Sequence, residues 1–353
     1  MSLNSLTIQN LRNIIDMNLE PHSRFNVIYG ENGSGKTSIL EAIYILGRGR
    51  TFRSAYNKKI IRSGEELLFI FSQSKEADTS NHLRIQIHNS QFQAKLNSQF
   101  LKKSSDLALY VPLLLITPDG DKLIKGSPRQ RRRFLDWGLF HVEHCFFEVW
   151  QRYNRILIQR NVALRQSATQ LSTWNKQLID VGNELNTQRQ QYANQLAEMA
   201  QLCFKELTNI ESVTFEYLPG WNKGQTFAES LNLHIETDIK AGFTQRGPHR
   251  ADLTMQINGH SASEYLSGGQ IKLAACALYL AQARLYSRKL NKFCTLLVDD
   301  LPAELDEKHR KALLDMMYST KGQVFITTTD LSLLNLLDYD DIKVFHVKHG
   351  AII

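Results

Sequence analysis

The sequence predicts an α/β protein in which one domain of alternating strands and helices is interrupted by a mostly helical insertion. The chain has 353 residues, about twice the length of a typical domain. Short apolar runs typical of strands occur near both ends, whereas residues 128–210 carry apolar side chains mostly at helical spacing. The composition, with 42% hydrophobic and 22% charged residues, is that of a folded globular protein and excludes a disordered or fibrous chain.

The N-terminal part is predicted to contain strands on both sides of one helix. Leu6 and Ile8 alternate with polar residues, and the apolar run Phe25–Tyr29 stops at Gly30, so both patterns predict strands. A helix is expected after Gly35, because apolar residues then recur every three or four positions. Further strands are expected at 68–71, 83–87, 92–96 and 111–116.

The insertion begins at Ser127-Pro128, a pair typical of a helix start. Two stripes of apolar residues follow, spaced three or four positions apart, and core packing explains both of them. The stripes are Phe146, Trp150, Tyr153 and Leu157, then Tyr192, Leu196, Met199, Cys203 and Leu207. After them the pattern predicts a helix over 271–287 and strands at 212–217, 253–257, 295–298 and 324–327.

Several classes of protein are excluded by simple patterns. The longest nearly apolar run, Leu273–Ala283, has 11 residues, fewer than the ~18 that a membrane-spanning helix requires. The first residues lack the basic and apolar regions of a signal peptide, so we expect a cytoplasmic protein without a membrane partner. The four cysteines have no metal-ligand spacing and are expected to be inert thiols.

Positive charge is concentrated in one window. The whole chain carries a net charge of +7, and residues 121–165 alone hold ten basic residues against four acidic ones. Eight of the ten are arginines, which favours contact with phosphate because a guanidinium can bind two oxygens at once. The alternative is an ordinary solvated helix surface. At the centre of the window lie Arg129, Arg131, Arg132 and Arg133, our candidates for DNA binding.

Consecutive arginines on a helix point about 100° apart, so some of these four must pair with carboxylates or brace the fold instead. If all of them did so, Arg48, Arg50 and Arg53 would be the next candidates for the DNA-binding surface.

A phosphate-binding loop is predicted between the first predicted helix and the strand before it. The segment fits the pattern G-x-x-x-x-G-K-[ST], in which backbone N–H groups and a helix N-terminus hold anionic oxygens. Lys36 is expected to contact the terminal phosphates of a nucleotide, and Thr37 to bind Mg²⁺. The candidate nucleotide-binding residues are Gly30, Glu31, Asn32, Gly33, Ser34, Gly35, Lys36 and Thr37.

Two further motifs extend this prediction. Leu266–Gln270 places a serine and two glycines before a long helix, a position suited to an anion. The buried strand at 295–298 ends in two carboxylates, of which Asp299 suits Mg²⁺ coordination and Asp300 is placed to orient or activate water.

In this order, the motifs resemble the P-loop, signature, Walker-B and D-loop motifs of ABC-type ATPases, the last at Ala303–Asp306. Other segments across nearly the whole chain resemble the RecF family of bacterial recombination proteins, whose fold is similar to the heads of SMC proteins. These segments are 10–13, 47–53, 125–136, 244–252 and 345–350. The resemblance implies an ABC-type ATPase head, formed by residues 1–125 and 241–353, with an inserted helical arm at 126–240.

The resemblance also implies a function. It indicates an ATP-dependent DNA-binding protein of recombinational repair, replication-fork recovery and the SOS response, which binds duplex DNA and single-strand/double-strand junctions. RecO and RecR are the implied partners in loading recombinase at gaps. ATP with Mg²⁺ would close a homodimer, and a weak, DNA-dependent ATPase activity would reset it. Further residues implied at the nucleotide are Arg12, Ser267, Gly268, Gly269 and Asp306.

Two other classes of P-loop protein remain as alternatives. The nucleotide-binding subunit of an ABC transporter shares the motif order, but such ATPases usually carry a histidine where this chain has 327–329 and a glutamate at the position of Asp300. Their lid glutamine is not identifiable near 117–119. A metabolic kinase would leave Leu266–Gln270 without a role.

Overall fold

The computed structural model describes residues 2–53, 60–76, 79–89, 91–166, 171–300 and 305–353. The chain forms two compact units, Met1–Gly120 with Tyr286–Ile353, and Asp121–Leu285. The first unit corresponds to the two ends of the chain and the second to the insertion. The limits differ from the predicted 126–240, because the second unit extends well beyond residue 240.

The first unit begins with three strands and the helix predicted after Gly35. Its elements up to residue 116 are β1 (Ser2–Leu11), β2 (Ile14–Leu19), β3 (Phe25–Tyr29), α1 (Lys36–Arg48), β4 (Leu67–Glu76), β5 (Thr79–His88), β6 (Gln91–Leu96), β7 (Gln99–Phe100), α2 (Ser104–Tyr110) and β8 (Leu113–Ile116). The predicted strands at 25–29, 68–71, 83–87 and 92–96 are confirmed.

The second unit is mostly helical and carries a small sheet. Its elements are α3 (Lys122–Lys125), α4 (Pro128–Val142), α5 (Phe146–Gln166), α6 (Leu171–Thr208), β9 (Val213–Leu218), α7 (Phe227–Leu233), α8 (Ile235–Ala241), β10 (Asp252–Ile257), β11 (His260–Ser261), α9 (Ala262–Tyr265) and α10 (Gly268–Leu290). The Ser127 start of α4 is confirmed by a capping box with Gln130. The strand β10 pairs antiparallel with β9, which explains why residues beyond 240 belong to this unit.

The chain returns to the first unit at Tyr286, within α10. The remaining elements are β12 (Thr295–Val298), α11 (Glu307–Ser319), β13 (Val324–Thr328), β14 (Ile342–Lys348) and β15 (Ala351–Ile352).

Two six-stranded sheets form the first unit. One has the order β15-β14-β3-β13-β12-β8, and its strands are parallel except for β15. The other has the order β2-β1-β4-β5-β6-β7 and is antiparallel. The helix α1 is buried nearly all round, and it shares one hydrophobic core with residues of both sheets.

The strand order places the functional motifs. In the parallel sheet β13 lies between β3 and β12, so the carboxyl ends of these three strands are neighbours. The glycine-rich loop follows β3, and Asp299 follows β12. Ligands of open parallel sheets bind at this edge.

None of the described helices is both long and apolar enough to cross a membrane.

Candidate functional site

The glycine-rich loop is shaped by close backbone contacts. Gly30 lies against β14, where a Cβ atom would come within 2.2 Å of the carbonyl oxygen of Val347. Gly35 has a φ of 118° and a Cβ there would lie 3.2 Å from the side chain of Asn13. The loop therefore requires glycine at these two positions, because a side chain would collide or force a strained backbone.

The side chain of Lys36 crosses this loop. Its Nζ donates hydrogen bonds to the carbonyl oxygens of Gly30 at 2.7 Å and Glu31 at 3.0 Å. Burial lowers the pKa of Lys36, whereas the negative charges of Asp300 and Asp299 raise it. The Lys36 amine, predicted to bind phosphate, therefore lies near enough to both predicted carboxylates to feel their charge.

Thr37 joins the loop to Asp299, and Thr327 links the two aspartates. The hydroxyl of Thr37 donates to Oδ1 of Asp299 at 3.0 Å, and the hydroxyl of Thr327 donates to the same oxygen at 2.9 Å. The backbone N–H of Asp300 donates to the Thr327 hydroxyl at 2.9 Å. Asp300 itself has a φ of 47°, a left-handed conformation that is uncommon outside glycine.

Thr37 and Asp299, the two residues predicted to bind Mg²⁺, are brought into contact, and both offer oxygen atoms. Oxygen ligands from one carboxylate and one hydroxyl are the set that Mg²⁺ takes in P-loop proteins, with phosphate and water completing its shell. The side chains present therefore fit the ion.

Arg12 lies in the turn between β1 and β2, beside the glycine-rich loop. Its Nε and one Nη donate to the two carboxylate oxygens of Glu41 on α1, each at 3.0 Å. Glu41 is fully buried and also accepts a hydrogen bond from Thr51. Arg12 thus pairs with a buried carboxylate, and its predicted contact with the nucleotide stays a prediction.

Two braces of the loop were not anticipated from the sequence. The amide of Asn13 donates to the carbonyl oxygen of Gly33 at 3.1 Å and accepts from the Ser38 hydroxyl at 3.2 Å. The N–H of Gly350 donates to the carbonyl oxygen of Ser34 at 2.7 Å. The only signal was that both residues fall in segments that resemble the RecF family.

The signature turn lies in the second unit at the start of α10. The hydroxyl of Ser267 accepts from the N–H of Gln270 at 3.3 Å, and the Gln270 side chain accepts from the N–H of Ser267 at 3.0 Å. This reciprocal pair is a capping box. Ser267, Gly268 and Gly269 are exposed, and a Cβ on either glycine would meet open space.

Asp306 is the N-cap of α11. Its carboxylate accepts from the N–H of His309 at 3.0 Å, which together with the imidazole contact lowers the pKa of Asp306. The side chain is exposed. The preceding residues of the predicted D-loop, 303–304, lie outside the described residues, and a role of Asp306 at the nucleotide stays a prediction.

The arginines of α4 divide into two groups. Arg131 donates to both carboxylate oxygens of Asp252, at 2.7 and 2.9 Å, and Arg132 donates to the carbonyl oxygen of Ala251 at 2.7 Å. Arg129 and Arg133 are exposed. The expectation that some members of this run brace the fold is met by Arg131, whereas the exposed pair stays a DNA-binding prediction.

Comparisons with known proteins agree with this geometry. The family model described as the RecF/RecN/SMC N terminal domain matches residues 2–352. A protein of Pseudomonas aeruginosa named DNA replication and repair protein RecF is 40% identical over 360 residues, covering 100% of this chain and 97% of its own length. The protein of the same name from Shewanella piezotolerans is 38% identical over 356 residues, covering 100% and 99%.

Two solved structures are similar to the whole chain. A structure of the recombination mediator protein RecF-ATP in the RecFOR pathway has a TM-score of 0.87 and 26% identity, covering 100% of this chain and 97% of that one. A crystal structure of the Smc head bound to the C-winged helix domain of ScpA has a TM-score of 0.63 and 15% identity, covering 100% and 96%, and supports the fold alone. The fold is therefore that of an ABC-type, SMC-like ATPase head. By sequence and by structure, this chain belongs to the RecF family.

Proposed function

We propose that the protein is an ATP-dependent DNA-binding switch of recombinational repair and replication-fork recovery. ATP closes a homodimer on DNA, and slow hydrolysis opens it again. The observation that carries the proposal is the linkage of Thr37, Asp299, Thr327 and Asp300 by hydrogen bonds at the mouth of a P-loop. A RecF structure that contains ATP, similar over the full length of this chain, supports it.

Binding of ATP is assigned to the loop from Gly30 to Thr37. Its backbone N–H groups and the N-terminus of α1 attract phosphate oxygens, and the ammonium group of Lys36 adds a full positive charge. Thr37 and Asp299 would hold Mg²⁺, which when bound neutralises charge on the terminal phosphates. Arg12 and Asp306 are kept as further candidates at the nucleotide.

Hydrolysis is assigned to Asp300. One hydroxyl on the neighbouring strand β13, that of Thr327, contacts both the backbone N–H of Asp300 and the carboxylate of Asp299. A carboxylate at this position can accept a hydrogen bond from a water molecule and orient it for attack. Transporter ATPases usually carry a longer glutamate at the position of Asp300 and a histidine where this chain has threonine. Both differences favour weak ATPase activity.

Dimerisation is assigned to the signature turn. Ser267, Gly268 and Gly269 leave the N-terminus of α10 exposed, and such an end attracts a phosphate. We place the terminal phosphate of a nucleotide bound by a second copy at this turn. ATP then bridges two subunits, and its loss separates them.

DNA binding is assigned first to Arg129 and Arg133, the exposed arginines of α4. Duplex DNA and single-strand/double-strand junctions are the proposed substrates, and DNA would stimulate the ATPase activity. The similar RecF-ATP structure belongs to the RecFOR pathway, which supports RecO and RecR as partners of this chain. Because its proposed substrate is DNA, we assign the protein to the cytoplasm. A transporter subunit is not proposed, because the relatives at 38–40% identity over the whole chain are named as RecF proteins.

A gel-shift experiment tests this function. The purified protein is titrated against duplex, single-stranded and gapped DNA, with and without ATP and Mg²⁺. We expect ATP to strengthen binding to duplex and gapped DNA, and Lys36→Ala to abolish the effect of ATP while leaving the fold intact. Equal binding of all substrates with and without ATP, or no binding, would reject the proposal.

A further inference from the structure

The segment Thr244–Asp252, in the second unit, connects α8 to β10 and has no role in the function described above. It contains Arg246, His249 and Arg250, and it is irregular apart from one helical turn at Pro248–Arg250. Its contacts show how rigidly it is built and which of its charged groups remain exposed.

Three carbonyl oxygens of this segment accept hydrogen bonds from side chains. Nε2 of His249 contacts the carbonyl oxygen of Thr244 at 2.9 Å, Arg189 donates to Pro248 at 2.7 Å, and Arg132 donates to Ala251 at 2.7 Å. Two of the three donors come from helices, Arg189 from α6 and Arg132 from α4. The backbone is therefore fixed from several directions.

His249 is held as a neutral ring. A carbonyl oxygen can only accept, so Nε2 carries the proton that it donates to Thr244, and Nδ1 accepts from the Tyr153 hydroxyl at 2.7 Å. Burial lowers the pKa of His249 to about 4. The ring consequently adds structure to the segment and no charge.

Glycine packing adds to this rigidity. Gly247 has a φ of 135°, and Gly220 has a φ of 95° with its Cβ position 2.2 Å from the carbonyl oxygen of Gly247. The N–H of Gly247 donates to the carbonyl oxygen of Gly220 at 3.2 Å. Two backbones approach here more closely than any side chain allows.

The positive charges around the segment are only partly neutralised. Arg131 pairs with Asp252, Arg189 with Asp136, and Arg160 with Asp238. Within the described residues, Arg132 and Arg250 form no ion pair with a carboxylate. These two guanidinium groups therefore keep their charge without a carboxylate at ion-pair distance, and Arg246 likewise forms no described ion pair.

The side chain of Arg132 reaches the backbone of the segment beside Arg250. Arg132 contacts the carbonyl of Ala251, the residue next to Arg250. Burial and the positive charge of Arg189 lower the pKa of Arg132, the negative charges of Asp252 and Asp136 raise it, and the positive charge of Arg250 lowers it again. Repulsion between Arg132 and Arg250 is unfavourable in the isolated chain and would be relieved by an anion that binds both.

Arg250 is exposed, and its described side-chain contact is with an aromatic ring. Its guanidinium carbon lies 5.8 Å from the ring centroid of Phe243, which is itself 43% exposed. The contact orients the side chain without using its N–H groups. Arg132 likewise has only one described hydrogen bond, so both residues retain donors for a ligand.

We propose that Arg132 and Arg250 together bind a backbone phosphate of DNA, and that Arg129 on the same helix as Arg132 extends the contact to the next phosphate. Arg129 and Arg132 are three positions apart, a spacing that places side chains on one side of a helix. Each guanidinium can donate two parallel hydrogen bonds to a phosphate, and such contacts position DNA without reading its sequence. The inference rests on the proposed DNA-binding function, which it extends to Arg250.

The test is the salt dependence of duplex binding by the variants Arg250→Ala and Arg250→Lys. Because each lost phosphate contact reduces the slope of log affinity against log salt by about one, Arg250→Ala should lower it by that amount and weaken binding about tenfold on every sequence. Arg250→Lys keeps the charge and should recover most of the slope. Melting temperature and ATP affinity should be unchanged, because Arg250 is exposed and lies outside the P-loop.

Two control variants accompany this test. Lys176→Ala removes one exposed positive charge from α6 and should leave the slope unchanged, which excludes a general effect of net charge. Arg131→Ala removes a bracing side chain and should lower the melting temperature. If the unmodified protein binds DNA and Arg250→Ala has the same slope, the inference is wrong and the DNA-binding function stands. If the unmodified protein binds no DNA, both fail.

Discussion

The hydroxyl of Thr37 donates a 3.0 Å hydrogen bond to the carboxylate of Asp299, which lies 262 residues further along the chain. The parallel sheet makes this contact possible, because β3 and β12 end at the same edge with only β13 between them. The strand order therefore brings together the residue of the P-loop and the residue after the Walker-B strand that are predicted to bind Mg²⁺.

This contact can be tested with a matched pair of substitutions. Thr37→Ala removes the hydroxyl and should abolish the ability of Mg²⁺ to strengthen ATP binding, whereas Thr37→Ser keeps the hydroxyl and should preserve it. Loss of one charge-assisted contact of this kind corresponds to roughly 1.5–3 kcal/mol, or about a tenfold to hundredfold weaker affinity. Equilibrium titration with a fluorescent ATP analogue, with and without Mg²⁺, measures both. Equal effects of Mg²⁺ on the two variants would remove Thr37 from the metal site.

A second prediction separates binding from hydrolysis. Asp300→Asn should bind ATP with nearly unchanged affinity but hydrolyse it at least about a hundredfold more slowly, because an amide is a poor base for a water molecule. Phosphate release under saturating ATP measures the rate. Asp16→Asn, an exposed aspartate on β2, is the control and should keep the full rate. Turnover of Asp300→Asn at the control rate would show that this carboxylate takes no part in the reaction.

A third prediction concerns the signature turn. Ser267→Arg places a bulky cation at the exposed N-terminus of α10 and should give a protein that binds ATP as a monomer. Light scattering with and without ATP measures the mass in solution. Ser212→Arg adds the same charge to another exposed site in the second unit and should still dimerise. A normal ATP-dependent dimer of Ser267→Arg contradicts the proposed arrangement.

The partly buried imidazole of His249 predicts a pH dependence of stability. Above pH 6.5 the ring is neutral in the folded and the unfolded chain, so it adds no penalty. As the pH falls from 6.5 towards 4, the unfolded chain binds a proton that the folded chain does not, because burial holds the pKa of His249 at about 4. Stability is thus lost on acidification, by up to about 3 kcal/mol once both states are protonated.

Urea unfolding at several pH values between 7.5 and 4.5 measures this effect. His249→Gln cannot take up a proton, so the difference in unfolding free energy between the two proteins should shrink or reverse as the pH falls. The carboxylates of the chain titrate in both proteins, so their effects on the unfolding free energy cancel in this difference. A difference that is constant across this range would mean that His249 is not buried in its neutral form.

The sequence predicted the parts of this molecule that depend on neighbours along the chain. The limits of β3 and β12 match the apolar runs, and the start of α4 follows from Ser127-Pro128, because each depends on local pattern. The strands β9 and β10 are separated along the chain by helices and irregular segments, so no local sequence pattern predicts that they pair. For that reason the insertion was predicted to end at residue 240, whereas the second unit extends to Leu285.

The same distinction applies to the site. The P-loop residues and both aspartates were predicted, since their motifs are continuous, but the position of Thr327 between the aspartates depends on the strand order. Sequence also shows the charge of Arg131 and Arg132 but not their partners, Asp252 and the carbonyl of Ala251, which are more than a hundred residues away.

The hydrogen bond from Gly350 to Ser34 couples the last hairpin, β14–β15, to the phosphate-binding loop. Exchange of the Gly350 amide proton with solvent requires this bond to open. A ligand that stabilises the loop must therefore slow that exchange, by up to about a hundredfold when it is present at 100 times its dissociation constant. The Gly350 amide thus serves as an internal reporter of nucleotide occupancy, readable by hydrogen–deuterium exchange without any label.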